Sequence, residues 1–259
     1  MTKAVPTAST TANCKRTNMT PPTIIFEDQH LVVLSKPAGL LSQGEKTGDD
    51  NLVDWLRDYF GRQYVGLIHR LDRNTSGIMV VAKRTKSAQR LTEALQSGEL
   101  HRSYLAWIGG DLKQPQQWRH FLSKNEKTNT VRVVKSGAKN DSGGNAKEAA
   151  LRVRPLLSGQ FQGSLITLAE FVLETGRSHQ IRAQAAHEKH ALIGDAKYGG
   201  LNGFSRPALH SYQLSFPHPM SKEVMTFRAP LPEDFKSVSK SSLLDKVLLQ
   251  LESENSQAD

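Results

Sequence analysis

Cysteine is nearly absent from the chain. Its 259 residues include one, Cys14, so an intramolecular disulfide cannot form and zinc sites built on several thiolates are excluded. A lone thiol fits a reducing compartment, and we expect a cytoplasmic protein. Long apolar runs are missing as well. No stretch approaches the ~20 residues that cross a bilayer, which predicts a protein without membrane contact.

Acidic residues are fewer than basic ones. Lys and Arg number 34 against 25 Asp and Glu, which gives a net charge of +9. This balance favours an anionic partner, with nucleic acid ahead of a membrane surface. The first acidic residue is Glu27, after a Thr-rich segment. We therefore expect a disordered tail over 1–22, one folded domain over 23–236, and a polar extension over 237–259 that contains one helix.

The apolar pattern is dominated by short β-rich runs separated by turn residues. The runs typical of strands are TIIFE, LVVLSK, SYLAWIG, WRHFL, TVRVV, AALRVRPLL, SLITLAEFVLE, LHSYQLSF and EVMTFRA. A basic loop is expected over 135–147. Strands in succession without regular β-α alternation predict an α+β fold with a mixed, mainly antiparallel sheet flanked by helices.

Helical spacing occurs in three earlier segments. NLVDWLRDYF places Leu52 and Leu56 on one face, and TKSAQRLTEALQSG carries an apolar stripe behind Thr85, a candidate N-cap. A further helix is expected from Ser178, its candidate N-cap, to about Lys189.

One acidic residue stands out in the stretch HRLDRNTSG. Asp72 lies between Arg70 and Arg73, and short polar residues follow it. Those polar residues are typical of a tight turn, which is the simplest interpretation. Two flanking cations exceed what a turn requires, and they favour the charged form of the carboxylate. Such a carboxylate suits a nucleophile, or a group that stabilises positive charge at a sugar carbon.

A second basic constellation is LETGRSHQIRAQAAHEKH. Arg177 stands at the expected helix entrance and Arg182 lies on the helix. The segment is either a phosphate-binding helix start or an ordinary basic helix face. We expect no metal at its histidines, His179, His187 and His190. Neither an HExxH pattern nor a cysteine partner accompanies them.

Two further residues leave alternatives open. Tyr104, in ELHRSYLAW, is either a core or cross-strand residue, or a residue that stacks on a base or accepts a proton. Asp195, in IGDAKYGG, could pair with Asp72 as the two carboxylates of a glycosidase, although a Gly-Asp step is also a common turn.

Taken together, these motifs resemble the RluA-type pseudouridine synthases. HRLDRNTSG, RSY, TGRSHQIR, GDAKYGG and LHSYQLSFPHP occur in that family's order and approximate spacing, from about Ile24 to Pro232. The resemblance implies the pseudouridine synthase catalytic fold and isomerisation of uridine to pseudouridine within ribosomal or transfer RNA. It also implies a monomer without metal or cofactor, and a member that lacks the family's small N-terminal RNA-binding domain.

The resemblance assigns roles residue by residue. Asp72 matches the catalytic aspartate, and Tyr104 matches a tyrosine that packs on the target base and takes its carbon-5 proton. Arg182 matches the arginine that forms a salt bridge with the aspartate. Three residues are expected to bind RNA: His69, Arg70 and Arg177. Among these, Arg70 matches an arginine that helps to displace the target base.

Two alternative functions belong to other classes. One is a non-catalytic RNA-binding protein that retains the fold, and the other is a nucleoside or glycoside hydrolase that uses Asp72 and Asp195. The joint presence of Asp72, Tyr104 and Arg182 favours the synthase, because a binding protein needs no such combination.

Overall fold

Eleven strands form one sheet in the described part of the chain. The computed structural model describes residues 20–45, 48–138, 145–238 and 241–256. Most of the predicted tail and the centre of the predicted basic loop, residues 139–144, lie outside these ranges. The strands are β1 (Thr23–Glu27), β2 (Leu31–Lys36), β3 (Gly66–Leu67), β4 (Ser76–Ala82), β5 (His101–Gly109), β6 (Gln116–Asn125), β7 (Thr130–Val134), β8 (Lys147–Phe161), β9 (Ser164–Leu173), β10 (Leu209–Pro217) and β11 (Val224–Arg228).

The strand order is β1-β2-β4-β10-β5-β9-β8-β6-β7, with β3 paired to β4 and β11 to β10. Strands β4 and β10 run parallel, and the other pairs among the described strands are antiparallel. The predicted α+β class with a mixed, mainly antiparallel sheet is therefore confirmed.

Four of the five α-helices among the described residues lie in segments predicted to be helical, whereas α4 was not predicted and two predicted N-caps are wrong. The helices are α1 (Leu52–Phe60), α2 (Thr85–Ser97), α3 (Gln180–His187), α4 (Glu233–Lys236) and α5 (Ser241–Ser256), with a 3₁₀ helix at Ala196–Tyr198. Helix α2 begins at Thr85 itself, preceded by Arg84 without a side-chain cap. Helix α3 is preceded not by Ser178 but by His179, which has a left-handed φ of 50°. No helix in the described ranges is both long and apolar enough to cross a bilayer.

Apolar side chains cover both faces of the sheet. All seven residues of β4 are buried, which fits its position between β2 and β10. On the other half of the sheet, Trp107 and Phe235 form an apolar cluster with Leu244 and Leu251 of α5. The segment predicted as a polar extension thus contributes its helix to the packed core.

The parallel pairing of β4 with β10 brings the candidate residues together. Gly77 has a φ of 118°, and a Cβ at this position would lie 2.1 Å from the Ser211 carbonyl oxygen. Only glycine permits so close an approach. Ser211 pairs with Gly77 on one side and with Tyr104 of β5 on the other. The loop before β4, which carries Asp72, is thereby held beside Tyr104.

Candidate active site

Hydrogen bonds to its backbone groups hold the Asp72 loop in place. The Thr75 amide donates to the Asp72 carbonyl at 3.0 Å, which forms the predicted turn. One residue earlier, the Leu71 amide donates to the buried Ser42 hydroxyl at 3.0 Å, and that hydroxyl donates to the Leu71 carbonyl at 2.7 Å. The Asp72 side chain remains 29% exposed, so its carboxylate is available to a ligand.

A fully buried lysine lies beneath this loop. Lys36 Nζ donates to the carbonyls of Pro37, Leu40 and Arg73 at 2.9, 2.7 and 3.2 Å. Burial lowers the pKa of Lys36 to about 7, while the Asp72 carboxylate opposes this effect and Arg206 adds to it. Lys36 therefore ties the loop after β2 to the residue that follows Asp72.

Arg182 of α3 joins two carboxylates. Its Nη1 lies 3.3 Å from Asp72 Oδ2, while Nε and Nη2 donate to Asp195 Oδ2 and Oδ1 at 2.6 and 2.8 Å. Desolvation lowers the pKa of Arg182, but the two carboxylates outweigh it and the net shift is upward. Asp195 is 1% exposed and both its oxygens are occupied. The alternative in which Asp195 and Asp72 act as the two carboxylates of a glycosidase is therefore not supported, because Asp195 orients Arg182 instead.

His179 and Tyr198 complete the surroundings of Asp72. His179 Nε2 lies 3.8 Å from Asp72 Oδ2, and its Nδ1 lies 2.8 Å from the Tyr198 hydroxyl. That hydroxyl accepts from the Val131 amide at 2.8 Å, and the Arg182 guanidinium lies over the Tyr198 ring at 5.0 Å. Burial lowers the pKa of His179, with Arg182 opposing the Asp72 carboxylate. A neutral imidazole therefore faces the carboxylate at neutral pH.

Tyr104 lies on the wall of the same site. It is 5% exposed and belongs to the apolar cluster that also contains Leu71 and Phe171. Burial raises the pKa of Tyr104, and Asp72 is close enough to add to this effect, while Arg102 and Ser211 oppose it. The phenol is therefore neutral at physiological pH and is both a core residue and a neighbour of Asp72.

The three predicted RNA-binding residues have different surroundings. Arg70 is exposed and bonds no other described residue. Arg177 is exposed as well, with Nε donating to the Glu148 carbonyl at 3.0 Å. His69 is buried, its Nε2 accepts from the Val80 amide at 3.3 Å, and burial together with the Arg102 cation lowers its pKa to about 3. His69 thus packs against β4, and we correct its predicted RNA contact to a structural role.

The correction could have been made from the sequence. Burial alternates along this segment, since His69 and Leu71 are buried whereas Arg70 is exposed and Asp72 is half-buried. The apolar Leu71 therefore indicated that the side chain two residues before it faces the core.

One group of potential metal ligands lies among the described residues, and it shares only His187 with the three histidines at which no metal was expected. His120 of β6 approaches His187 and Glu188 at the end of α3, with ligand atoms within 4.8 Å of one another. The Gln184 amide nitrogen lies 2.9 Å from His120 Nδ1, and His120 Nε2 lies 2.9 Å from Glu188 Oε1. Both ring nitrogens of His120 therefore already have hydrogen-bond partners among the described residues.

Comparison with known proteins decides the family. The model of the RNA pseudouridylate synthase family matches residues 30–187, which include Asp72, Tyr104 and Arg182. The chain belongs to this family. The resemblance to RluA-type synthases, the enzyme class and the fold expected from it are thereby confirmed.

Curated relatives and solved structures of pseudouridine synthases agree. The chain is 35% identical to the ribosomal large subunit pseudouridine synthase D of Xanthomonas campestris over 83% of this chain and 68% of the relative. It is 36% identical to that of Xylella fastidiosa over 82% and 66%. The chain thus spans about two thirds of these relatives. The human RNA pseudouridylate synthase domain containing 1 superposes with a TM-score of 0.68 at 21% identity, over 88% of this chain and 94% of that structure, which shows the shared fold.

The sequence did not predict that Lys36 and His179 lie beside Asp72, or that Asp195 orients Arg182. A lysine inside an apolar strand was a signal, since Lys is rarely buried without partners. The contacts of His179 and Asp195 depend on the left-handed turn before α3 and on the 3₁₀ turn, neither of which periodicity reveals.

Proposed function

We propose that this pseudouridine synthase isomerises uridine in ribosomal RNA, with Asp72 as its catalytic carboxylate. The observation that carries the proposal is the contact between Asp72 and Arg182, in which the carboxylate stays accessible and the arginine is held in place by Asp195. Ribosomal RNA is proposed ahead of transfer RNA because the similar relatives are named for the large ribosomal subunit.

The reaction breaks the bond from ribose C1′ to uracil N1, turns the retained base and forms a C1′–C5 bond. The C5 proton is released and N1 takes up a proton, so the product is an isomer of the substrate. Asp72 supplies its carboxylate to the ribose, as a nucleophile at the sugar carbon or as a base toward a sugar proton. Because the uracil is never lost, no second carboxylate is needed to activate water. Both oxygens of Asp195 accept hydrogen bonds from Arg182, so Asp195 is not free to activate water. This is consistent with a mechanism that uses one catalytic carboxylate.

Arg182 prepares Asp72 before substrate arrives. A guanidinium that already donates two bonds to Asp195 has little freedom, so its third nitrogen defines one position for the Asp72 carboxylate. Tyr104 forms the wall against which we propose the uracil packs. Its neutral phenol favours packing and hydrogen bonding to the base over action as an ionised base.

Access to the ribose requires the uridine to leave its stack, at a free-energy cost of a few kcal/mol within a helix. Arg70 is exposed and without a partner in the described ranges, so its guanidinium is free to occupy the vacated place in the RNA. Arg177 is proposed as a phosphate contact at the same face, since its terminal nitrogens extend beyond its bond to Glu148.

The test uses RNA that carries tritium at uracil C5, with large-subunit ribosomal RNA and transfer RNA in parallel. Wild type should release tritium from ribosomal RNA without free uracil, and Asp72→Asn should bind RNA equally well but release none. Asp58→Asn, which removes an exposed carboxylate at the end of α1, serves as the matched control and should retain activity. Tritium release by Asp72→Asn would overturn the catalytic assignment, release from transfer RNA alone would overturn the substrate, and tight binding without release by wild type would indicate a binding protein.

A further inference from the structure

A groove of about 540 Å³ lies at the start of α2, away from Asp72. Its lining residues come from β2's entry, the α1–β3 connection, the start of α2 and the loop before β11. They are His30, Tyr64, Lys83, Arg84, Thr85, Lys86, Ser87 and Met220. Asp72 precedes β4 and this groove follows it, so the seven residues of β4 separate the two sites by about 20 Å at about 3.3 Å per residue.

The beginning of α2 offers backbone donors to this groove. Arg84 precedes the helix without a side-chain cap, and the first turn contains no acidic residue. The first hydrogen bond of the helix runs from the Ala88 amide to the Arg84 carbonyl at 2.9 Å. The amides of Thr85, Lys86 and Ser87 therefore have no acceptor within the helix, and the helix dipole adds positive potential at this end.

Two buried polar atoms on the groove wall also lack partners. Ser87 is 1% exposed, and its hydroxyl has no hydrogen-bond partner among the described residues. His30, another lining residue, is half-buried, and its Nδ1 also has no hydrogen-bond partner among the described residues. A buried hydroxyl without a partner is energetically unfavourable, so an acceptor that enters the groove and reaches it would stabilise the protein.

The charges around the groove are predominantly positive. Lys83 is engaged by Glu27, with Nζ 2.5 Å from Oε1, and Arg84 uses Nε for the Gln29 carbonyl at 3.1 Å. The terminal nitrogens of Arg84 and the ammonium of Lys86 are thereby left for a ligand. Asp28 is already occupied, because Oδ1 accepts the His30 and Leu31 amides and Oδ2 bonds His218 at 2.9 Å.

We propose that this groove is a phosphate-binding site. The phosphate accepts hydrogen bonds from the amides at the start of α2 and from the Ser87 hydroxyl, and it pairs with Arg84 and Lys86. Tyr64 is 38% exposed and Met220 is 42% exposed, which leaves room beside the phosphate for a ribose or a base. Two sources share this chemistry: a phosphodiester of an RNA backbone distant from the target uridine, and a free nucleotide.

Titration of the ¹⁵N-labelled protein with inorganic phosphate tests the site without RNA. The Thr85, Lys86 and Ser87 amide signals should shift saturably with sodium phosphate and not with sodium chloride at equal ionic strength. Lys86→Glu should weaken the affinity by about fivefold or more, and Lys246→Glu, an equal charge change on the exposed surface of α5, should not. Ser87→Ala should also weaken binding but leave the melting temperature at or above that of wild type, because the hydroxyl has no partner to lose.

The source is distinguished by titration with AMP and with single-stranded oligoadenylate, which contains no uridine for the catalytic site. Tighter binding of the oligonucleotide, weakened by Lys86→Glu, identifies the RNA backbone, whereas tighter binding of AMP identifies a free nucleotide. The proposal is overturned if none of the three probes moves these amides more than chloride does, or if Lys246→Glu weakens binding as much as Lys86→Glu. Asp72→Asn should leave all three titrations unchanged, so failure here and failure of the catalytic proposal are separable.

Discussion

Asp195 holds Arg182 through both carboxylate oxygens, at 2.6 and 2.8 Å, while a third guanidinium nitrogen remains directed at Asp72. Asp195 is buried, and its side chain bonds Arg182 rather than Asp72. Its substitution should therefore alter the geometry of Asp72 without removing any group that touches substrate.

We expect Asp195→Asn to lower turnover by about a hundredfold, because a displaced Arg182 no longer orients Asp72. The free energy of unfolding should fall by about 3 kcal/mol, since a buried cation loses one of its two carboxylates. Tritium release and urea denaturation measure the two effects. Asp49→Asn, which breaks an exposed pair with Arg73, is the control and should change stability by less than about 1 kcal/mol. Wild-type turnover in Asp195→Asn would remove Asp195 from this role.

Tyr104→Phe should slow turnover by about a hundredfold and leave RNA affinity nearly unchanged. The ring that fills the core is retained and only the hydroxyl is removed, so the free energy of unfolding should change by less than about 1.5 kcal/mol. Single-turnover kinetics and a thermal melt provide both values. If stability fell sharply while turnover per folded molecule stayed normal, Tyr104 would be a core residue only.

Lys36 should make stability depend on pH. In the unfolded chain lysine keeps its proton up to about its ordinary pKa of 10.5, whereas folded Lys36 releases it near 7. Between these values the unfolded state binds more protons, so the free energy of unfolding should rise with pH, by up to about 1.4 kcal/mol per unit.

Urea denaturation of wild type and Lys36→Met at several pH values between 6 and 10 measures this dependence. The difference between the two proteins should grow above pH 7, and parallel curves would contradict the assignment. In an Asp72→Asn background the rise should begin at lower pH, because the Asp72 carboxylate raises the pKa of Lys36.

Gly77→Ala should prevent correct pairing of β4 with β10. The added Cβ would lie 2.1 Å from the Ser211 carbonyl oxygen, in backbone that cannot move without breaking the sheet. We expect a loss of at least about 3 kcal/mol of stability and loss of activity. Gly98→Ala is the control: its φ of 83° is also left-handed but nothing lies within 4 Å, so it should destabilise by about 1–2 kcal/mol. Equal melting temperatures for the two variants would show that the close approach is unimportant.

Local patterns predicted most of the fold because they depend on neighbours along the chain. Alternating apolar residues and turn residues placed the strands, and the stripe containing Leu52 and Leu56 placed α1, since burial of one face decides both kinds of element. Capping was predicted less well. Thr85 is an excellent N-cap residue in isolation, but the packing of α2 against β4 starts the helix at that residue.

The candidate site was only partly accessible from the sequence. Asp72 and Arg182 are 110 residues apart, and no local pattern joins them, so their pairing came from the resemblance alone. For Asp195 the sequence suggested Asp72 as a partner and not Arg182, because a Gly-Asp step does not show which side chain lies next to the aspartate in the folded protein. His69 and Arg70 are adjacent in sequence, yet His69 is buried and Arg70 is exposed, and the buried Leu71 two residues after His69 indicated this difference.

Strand β4 is buried along its whole length and hydrogen-bonded to strands on both sides, so its length sets the spacing between the features at its two ends. The Asp72 loop precedes β4 and the groove at the start of α2 follows it, so the distance between the two cannot change as it could across a flexible linker. An RNA that occupies both sites must bridge about 20 Å, whereas a mononucleotide or a very short fragment fills one of them. Affinity should then increase stepwise with oligonucleotide length, at the length that first spans the strand.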